Sequence, residues 1–383
     1  MLQVYLDNNA TTRPAPEAID AMLPFLREGY GNPSSVHRFG QLARQAVDQA
    51  RGQVAKLIGA TDASLLFTGG GTESINTAVR GVLRSRAPRN RVVISAVEHS
   101  ATRELCQQLA KEGAEIVTIA VARDGSLDLD ELRSAITEQT AIVSIMWANN
   151  ETGVIFPVKE IAEICRAAKV AFHCDATQAI GKVPVDVMDA GVDLMSFASH
   201  KFHGPKGIGA LYVRKGLRVA PLLIGGPQER GRRGGTENVP GIVGMGVAAE
   251  VAQTAMEEMP RVATLRDRLE REVLASIAES AVNGRIDLRV PNTTNIGFHR
   301  LEAEAILLLL SEQGIYASAG SACSSGSLEP SPVLLAMGID PRYAHGSIRF
   351  SLSKFTTDEE IDRTLAVLPE VIGRLRRVLP VAV

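Results

Sequence analysis

Between about residues 60 and 215, short apolar runs alternate with stretches whose apolar residues recur at helical spacing. Runs at 65–67, 92–95, 116–119, 142–146, 171–174, 194–197 and 210–213 read as strands. Several are nearly continuous Val and Ile, the pattern of strands covered on both faces. Helices are expected between them at 73–83, 101–111, 128–135 and 158–168. This alternation predicts an α/β fold built on a doubly wound, mostly parallel sheet. Functional groups in such a sheet gather at strand C-termini and in the loops that follow. His99, Asn150, Asp175 and Lys201 each fall within a few residues of a predicted strand end.

Past about residue 255 the pattern changes. A charged helix at 260–279 precedes strand 294–298, helix 302–313, strand 347–352 and helix 358–377. We expect a large domain over residues 15–255 and a smaller α+β domain over 256–383, with residues 1–14 packing against the second. A chain of 383 residues suits two cores better than one.

Composition narrows the function classes. The chain is 45% hydrophobic and 22% charged, ordinary for a globular protein. A net charge of -2 gives no reason to expect a nucleic-acid partner. No apolar run reaches the length of a membrane span, since Leu307–Leu310 is cut off by Ser311 and Glu312. Residues 1–5 show no basic-then-apolar leader. The four cysteines, at 106, 165, 174 and 323, have no C-x-x-C spacing. Neither a metal site nor a disulfide framework is expected, and the cytoplasm is the expected compartment.

The candidate chemistry centres on Ser199-His200-Lys201-Phe202-His203-Gly204-Pro205-Lys206-Gly207 and on Phe172-His173-Cys174-Asp175, at the ends of consecutive predicted strands. A lysine and an acid so placed are the pair that pyridoxal 5'-phosphate (PLP) needs. The amine forms a Schiff base with the aldehyde, and the carboxylate keeps the pyridine nitrogen protonated. A lysine in a turn is ordinarily a surface residue, but Ser199, His200 and the nearby glycines favour close contact with a phosphorylated ligand. Asp175 can also cap the next helix. Gln178 shares its side if the chain turns helical there, and is placed to donate to the cofactor's phenolic oxygen. The loop Thr68-Gly69-Gly70-Gly71-Thr72 offers helix N-terminal amides to a phosphate through Gly71 and Thr72. It lacks the Gly-Lys-Ser/Thr of a nucleotide-binding loop.

His99 has a bland reading as a structural histidine, but its place after a strand points it into the site, to stack on the ring and move protons. Cys106, Cys165 and Cys174 read as small buried hydrophobes. Cys323 differs, because Ser318-Ala319-Gly320-Ser321-Ala322-Cys323-Ser324-Ser325-Gly326-Ser327 has almost no bulk to bury. That suits a nucleophilic thiol that must travel. Such a thiol is only a few per cent ionised near neutrality, so His99 or the substrate must deprotonate it. Arg349 suits bidentate capture of an amino acid's α-carboxylate.

Further motifs are Tyr5-Leu6-Asp7-Asn8-Asn9-Ala10-Thr11-Thr12, Gly31-Asn32-Pro33-Ser34-Ser35, Trp147-Ala148-Asn149-Asn150-Glu151-Thr152-Gly153 and the run from Glu229 through Gly234-Gly235-Thr236 to Asn238. With these the chain resembles, nearly end to end, the nitrogen-fixation type of cysteine desulfurase in the class V aminotransferase family. The resemblance implies a fold-type I PLP transferase acting as a homodimer with sites at the subunit interface. It places Asn150 near the substrate and ring oxygen, and Thr236 at the phosphate of the partner subunit's cofactor. It implies conversion of L-cysteine to L-alanine, with the sulfur captured as a persulfide on Cys323. An acceptor or iron–sulfur scaffold protein would then take that sulfur, with Cys323 as a transient cluster ligand and no resident metal. The long Ser/Gly-rich cysteine segment resembles the mobile-loop subgroup rather than that with Gly-His-His-Cys. Ala198 departs from members that carry a phosphate-binding serine there, a role Ser199 is expected to take with His200. A selenocysteine lyase or another class V aminotransferase would keep Lys201 without needing a travelling thiol. A non-enzymatic iron–sulfur scaffold would want several clustered cysteines.

Overall fold

After a short N-terminal strand β1 (Val4–Tyr5), seven strands form the main sheet. They are β2 (Leu65–Thr68), β3 (Arg91–Ser95), β4 (Glu115–Ile119), β5 (Thr140–Met146), β6 (Ala171–Asp175), β7 (Leu194–Ala198) and β8 (Gly209–Val213). All seven match the strands expected from the apolar runs. The computed structural model describes residues 2–320 and 329–378. The strand order is β2-β8-β7-β6-β5-β3-β4. β8 runs antiparallel to both its neighbours, and every other pair is parallel. Every residue of β2, β5, β6, β7 and β8 is buried, because helices cover both faces of the sheet.

The second set of strands is β9 (Ser280–Val282), β10 (Thr293–Phe298), β11 (Ile315–Tyr316) and β12 (Ser347–Ser351). β9, β10 and β12 make an antiparallel sheet in the order β12-β10-β9, and β1 pairs in parallel with β11. Val4 and Leu6 accordingly join a hydrophobic cluster with Val262, Leu269, Phe298, Phe350 and Leu368, separate from the clusters around the main sheet. Pairing at both ends of the chain carries the segment after β1 across to the C-terminal edge of the main sheet. Asn8 donates to the Ser351 carbonyl of β12, and the Thr12 amide to the His200 carbonyl just beyond β7.

Helices Pro16–Arg27, Arg38–Leu57 and Val239–Ala255 pack together on one side. The last is apolar nearly all round, and Gly246 lies so close to the middle helix that a Cβ there would sit 2.7 Å from the Ala50 Cα. The stretch Val239–Ser276 has the length and composition of a membrane span, but 56% of its apolar window is buried inside the protein. That burial is what a core helix requires.

His173 illustrates how firmly the sheet centre excludes charge. Its ring lies between the Ser144 hydroxyl at 2.8 Å and the Ser196 hydroxyl at 2.7 Å, wholly buried. Burial lowers its pKa from 6.5 to about 4, with Asp175 opposing. Between those values the unfolded chain binds a proton that the folded chain cannot. The stability that His173 contributes is therefore lost as pH falls from about 6.5 to 4, by about 1.4 kcal/mol per unit. Glu98, raised to about 8 by burial, works in the opposite direction above its usual 4.5. Comparing variants isolates the histidine. Urea melts at pH 7.5 and pH 5 should show His173→Gln losing less stability on acidification than the parent. Equal losses would mean that the ring is not held neutral.

Candidate active site

The C-terminal ends of the parallel strands open into a cavity of about 250 Å³. Lys201 closes the short helical turn Ser199–Lys201 that follows β7. Its Nζ donates to the main-chain carbonyls of Asn9 at 2.6 Å and Ala10 at 2.8 Å, both from the N-terminal segment. Asp175 ends β6 one strand away and is 6% exposed, its Oδ1 accepting from the Thr177 amide at 3.0 Å. It is both a turn cap and a cavity-lining carboxylate, so the two readings of this residue coexist. Gln178 lines the same cavity.

Gly71 and Thr72 open the helix Gly71–Ser85 and line the cavity with their N-terminal turn. Gly70 before them holds φ +152° and ψ -179°, a region that residues with a Cβ avoid. The hydroxyl of Thr177 is buried without a hydrogen-bond partner among the described residues, 3.4 Å from where a Cβ on Gly71 would lie. Helix amides, an unspent hydroxyl and His200 at this end make a seat for a phosphate. Lys201 and Asp175 meet the needs of an aldehyde and a pyridine nitrogen. The residues present therefore fit PLP.

His99 caps the helix Ser100–Lys111, its Nδ1 accepting from the Ala101 amide at 3.1 Å. Burial lowers its pKa, with Asp175 opposing and Lys201 adding to the fall. The neutral ring then carries its hydrogen on Nε2. This arrangement suits stacking and donation. Taking a proton at Nδ1 requires release of the cap.

Arg349 projects from β12 and is 1% exposed. Nη2 donates to Asp7 Oδ1 at 2.7 Å, and Nη1 to the carbonyls of Asn150 at 3.0 Å and Gly320 at 2.5 Å. An incoming carboxylate must share this guanidinium with Asp7 or displace it. Arg349→Ala should raise the KM for L-cysteine by about one to two decades, the worth of a charge-assisted hydrogen bond of roughly 1.5–3 kcal/mol. Steady-state kinetics check this, and an unchanged KM would remove the arginine from substrate binding.

The cavity thus brings together Lys201, Asp175, Gln178, His99, Asn150 and Arg349 with Gly71, Thr72 and His200. Ser199 does not join them. It is fully buried, with its Oγ packed against Gly204, because the turn that presents Lys201 points the preceding side chain inward. Thr236 lines a second cavity with Gly69, Gly207 and Glu237. Cys323 lies outside the described residues. Sequence reasoning assigned no role to Asn9, Lys182 or Glu151. Asn9 and Glu151 stand in recognisable motifs, but nothing local marks Lys182.

Residues 4–364 match the aminotransferase class-V family. The chain is 51% identical over 382 residues to cysteine desulfurase NifS of Azotobacter vinelandii, covering 99% of this chain and 95% of that protein. It is 53% identical over 383 residues to a cysteine desulfurase of Gluconacetobacter diazotrophicus, covering 99% and 96%. Among solved structures it is similar to a NifS-like protein, with a TM-score of 0.92, 38% identity and coverage of 98% and 100%. SspA in complex with cysteine is also similar, with a TM-score of 0.81, 31% identity and coverage of 92% and 100%. A fold, a PLP-fitting cavity and likeness over nearly the whole length agree: the chain belongs to the class-V aminotransferase family, among its PLP-dependent cysteine desulfurases.

Proposed function

We propose that this protein converts L-cysteine to L-alanine and transfers the sulfur to Cys323 as a persulfide. The convergence of Lys201, Asp175 and Arg349 on one cavity carries the reading. PLP, when bound, supplies an electron sink that makes the substrate Cα–H acidic and its carbon–sulfur bond weak. Asp175 holds the proton on the pyridine nitrogen. Arg349 orients the α-carboxylate, and Lys201 moves the proton at Cα once its amine is released to act as a base. The Cys323 thiolate takes the substrate sulfur, so one carbon–sulfur bond breaks and one sulfur–sulfur bond forms. The carbon that loses sulfur gains a proton, and the product is alanine.

Three finer points belong to the same proposal. An acceptor protein that builds iron–sulfur clusters takes the sulfane sulfur from Cys323. A second copy of the chain completes the assembly. Exposed apolar residues support that pairing, with Leu26 at 61%, Tyr30 at 77%, Val36 at 93% and Ile224 at 89%. The buried, unpaired Cys106, Cys165 and Cys174 suit a reducing cytoplasm. The test is to incubate the PLP-loaded protein with L-cysteine under a thiol reductant and measure alanine and sulfide. Equal yields of the two support the proposal, and release of pyruvate or ammonia in place of alanine overturns it.

A further inference from the structure

Lys182 lies seven residues beyond Asp175 and is buried, 6% exposed. Burying a cation is costly unless a carboxylate compensates it. Among the described residues no carboxylate pairs with Lys182. Its Nζ donates to Asn9 Oδ1 at 2.9 Å and, more closely, to Gln178 Oε1. Burial, Lys201 and Arg349 together push its pKa well below the usual value. An apolar side chain of the same length would avoid this cost, so the lysine calls for a reason beyond packing.

Its chemistry supplies one. The amine donates to both oxygens, so Gln178 presents its Oε1 to Lys182. The Nε2 end is thereby turned to the Asn9 main-chain carbonyl, at 3.0 Å, beside the cavity that Gln178 lines. Asn9 is fixed in the same way. Its Nδ2 hydrogens go to the Asn150 carbonyl at 3.1 Å and Thr293 Oγ1 at 2.8 Å, leaving Oδ1 to accept from Lys182 and from Asn292 Nδ2 at 3.1 Å. The Asn9 carbonyl that receives Gln178 also receives Lys201 Nζ. Lys182 therefore stands one bond behind the groups that face the cofactor.

We infer that Lys182 is a positioning residue, holding the donor end of Gln178 toward the cofactor's phenolic oxygen and Asn9 beneath the reactive amine. This rests on the PLP reading above. The cofactor roles of Lys201 and Asp175 do not require Lys182, so the two ideas fail separately.

The test uses the PLP-loaded enzyme and two variants. Lys182→Met keeps the length and removes the donor, while Lys182→Gln is neutral but still donates. Lys182→Met should keep the yellow absorbance, release PLP on dialysis about ten-fold faster and lose about ten-fold in kcat, with little change in KM. Lys182→Gln should recover most of that loss. Adding Gln178→Leu to Lys182→Met should cost little more, since both act on one interaction. Should Lys182→Met fail to fold, Gln178→Glu replaces it. That side chain keeps the bond to Lys182 but shows no N–H to the cavity, and it should release PLP equally fast. PLP retention at the parent's rate in Lys182→Met or Gln178→Glu would overturn the inference. So would multiplying losses in the double variant, or a Lys182→Gln no better than Lys182→Met. A Lys201→Ala protein that keeps the Schiff-base absorbance band would instead sink the cofactor reading.

Discussion

Lys201→Ala should lose the Schiff-base absorbance band and at least about four decades of alanine production. The substitution removes two functions at once. The covalent link to the cofactor goes, and with it the Schiff-base band, leaving the shorter-wavelength absorbance of the aldehyde. On the proposed mechanism the base that moves the Cα proton also goes, and positioned acid–base groups alone contribute typically 10²–10⁴-fold. The phosphate seat at Gly71, Thr72 and Thr177 does not depend on Lys201, so PLP should still bind without the covalent bond. Absorbance spectra and a PLP-binding titration check the first half, and an alanine assay the second. The carbonyls of Asn9 and Ala10 lose a donor in this variant, so a modest fall in melting temperature is also expected.

Cys323→Ser should leave the cofactor in place and stop sulfur abstraction. Serine keeps the size and polarity of the residue but replaces an ionisable thiol with a hydroxyl that stays protonated. None of the described groups that line the cavity is altered. Colour and PLP content should match the parent protein, while alanine production falls to the level left without a nucleophile. Steady-state turnover beside absorbance spectra separates this outcome from loss of cofactor. A variant that has also lost its PLP would point to a structural role for the residue.

The main sheet was legible because each of its strands is an apolar run bounded by turn residues. The direction of β8 was not, since a hydrophobic run carries no sign of whether its neighbours run parallel. Helix Val239–Ala255 was missed for a different reason. It is buried on all sides through glycines that admit a neighbouring helix, so it shows no amphipathic period. β1 and β11 are two residues each and stand only because they pair across the length of the chain.

The site divides the same way. Lys201, Asp175, His99 and Asn150 could be found because strand ends in a doubly wound sheet converge. Arg349 was found from its chemistry, but its bond to Asp7 joins residues at opposite ends of the sequence and left no local signal. Asn9 likewise reaches Gln178, Lys182 and Lys201 only through tertiary folding. Ser199 shows the converse error. The place of Lys201 in the cavity was legible, but the turn geometry that buries the side chain before it was not.

The most direct test of sulfur transfer to Cys323 is a single turnover with L-cysteine labelled in its sulfur. The PLP-loaded protein, in excess over substrate and without reductant, is quenched, digested and read by mass spectrometry while released alanine is counted. The prediction is one labelled, reductant-labile sulfur on the peptide containing Cys323 for each alanine formed. Alanine formed in full with no label on that peptide, or with the label on Cys106, Cys165 or Cys174, would contradict it.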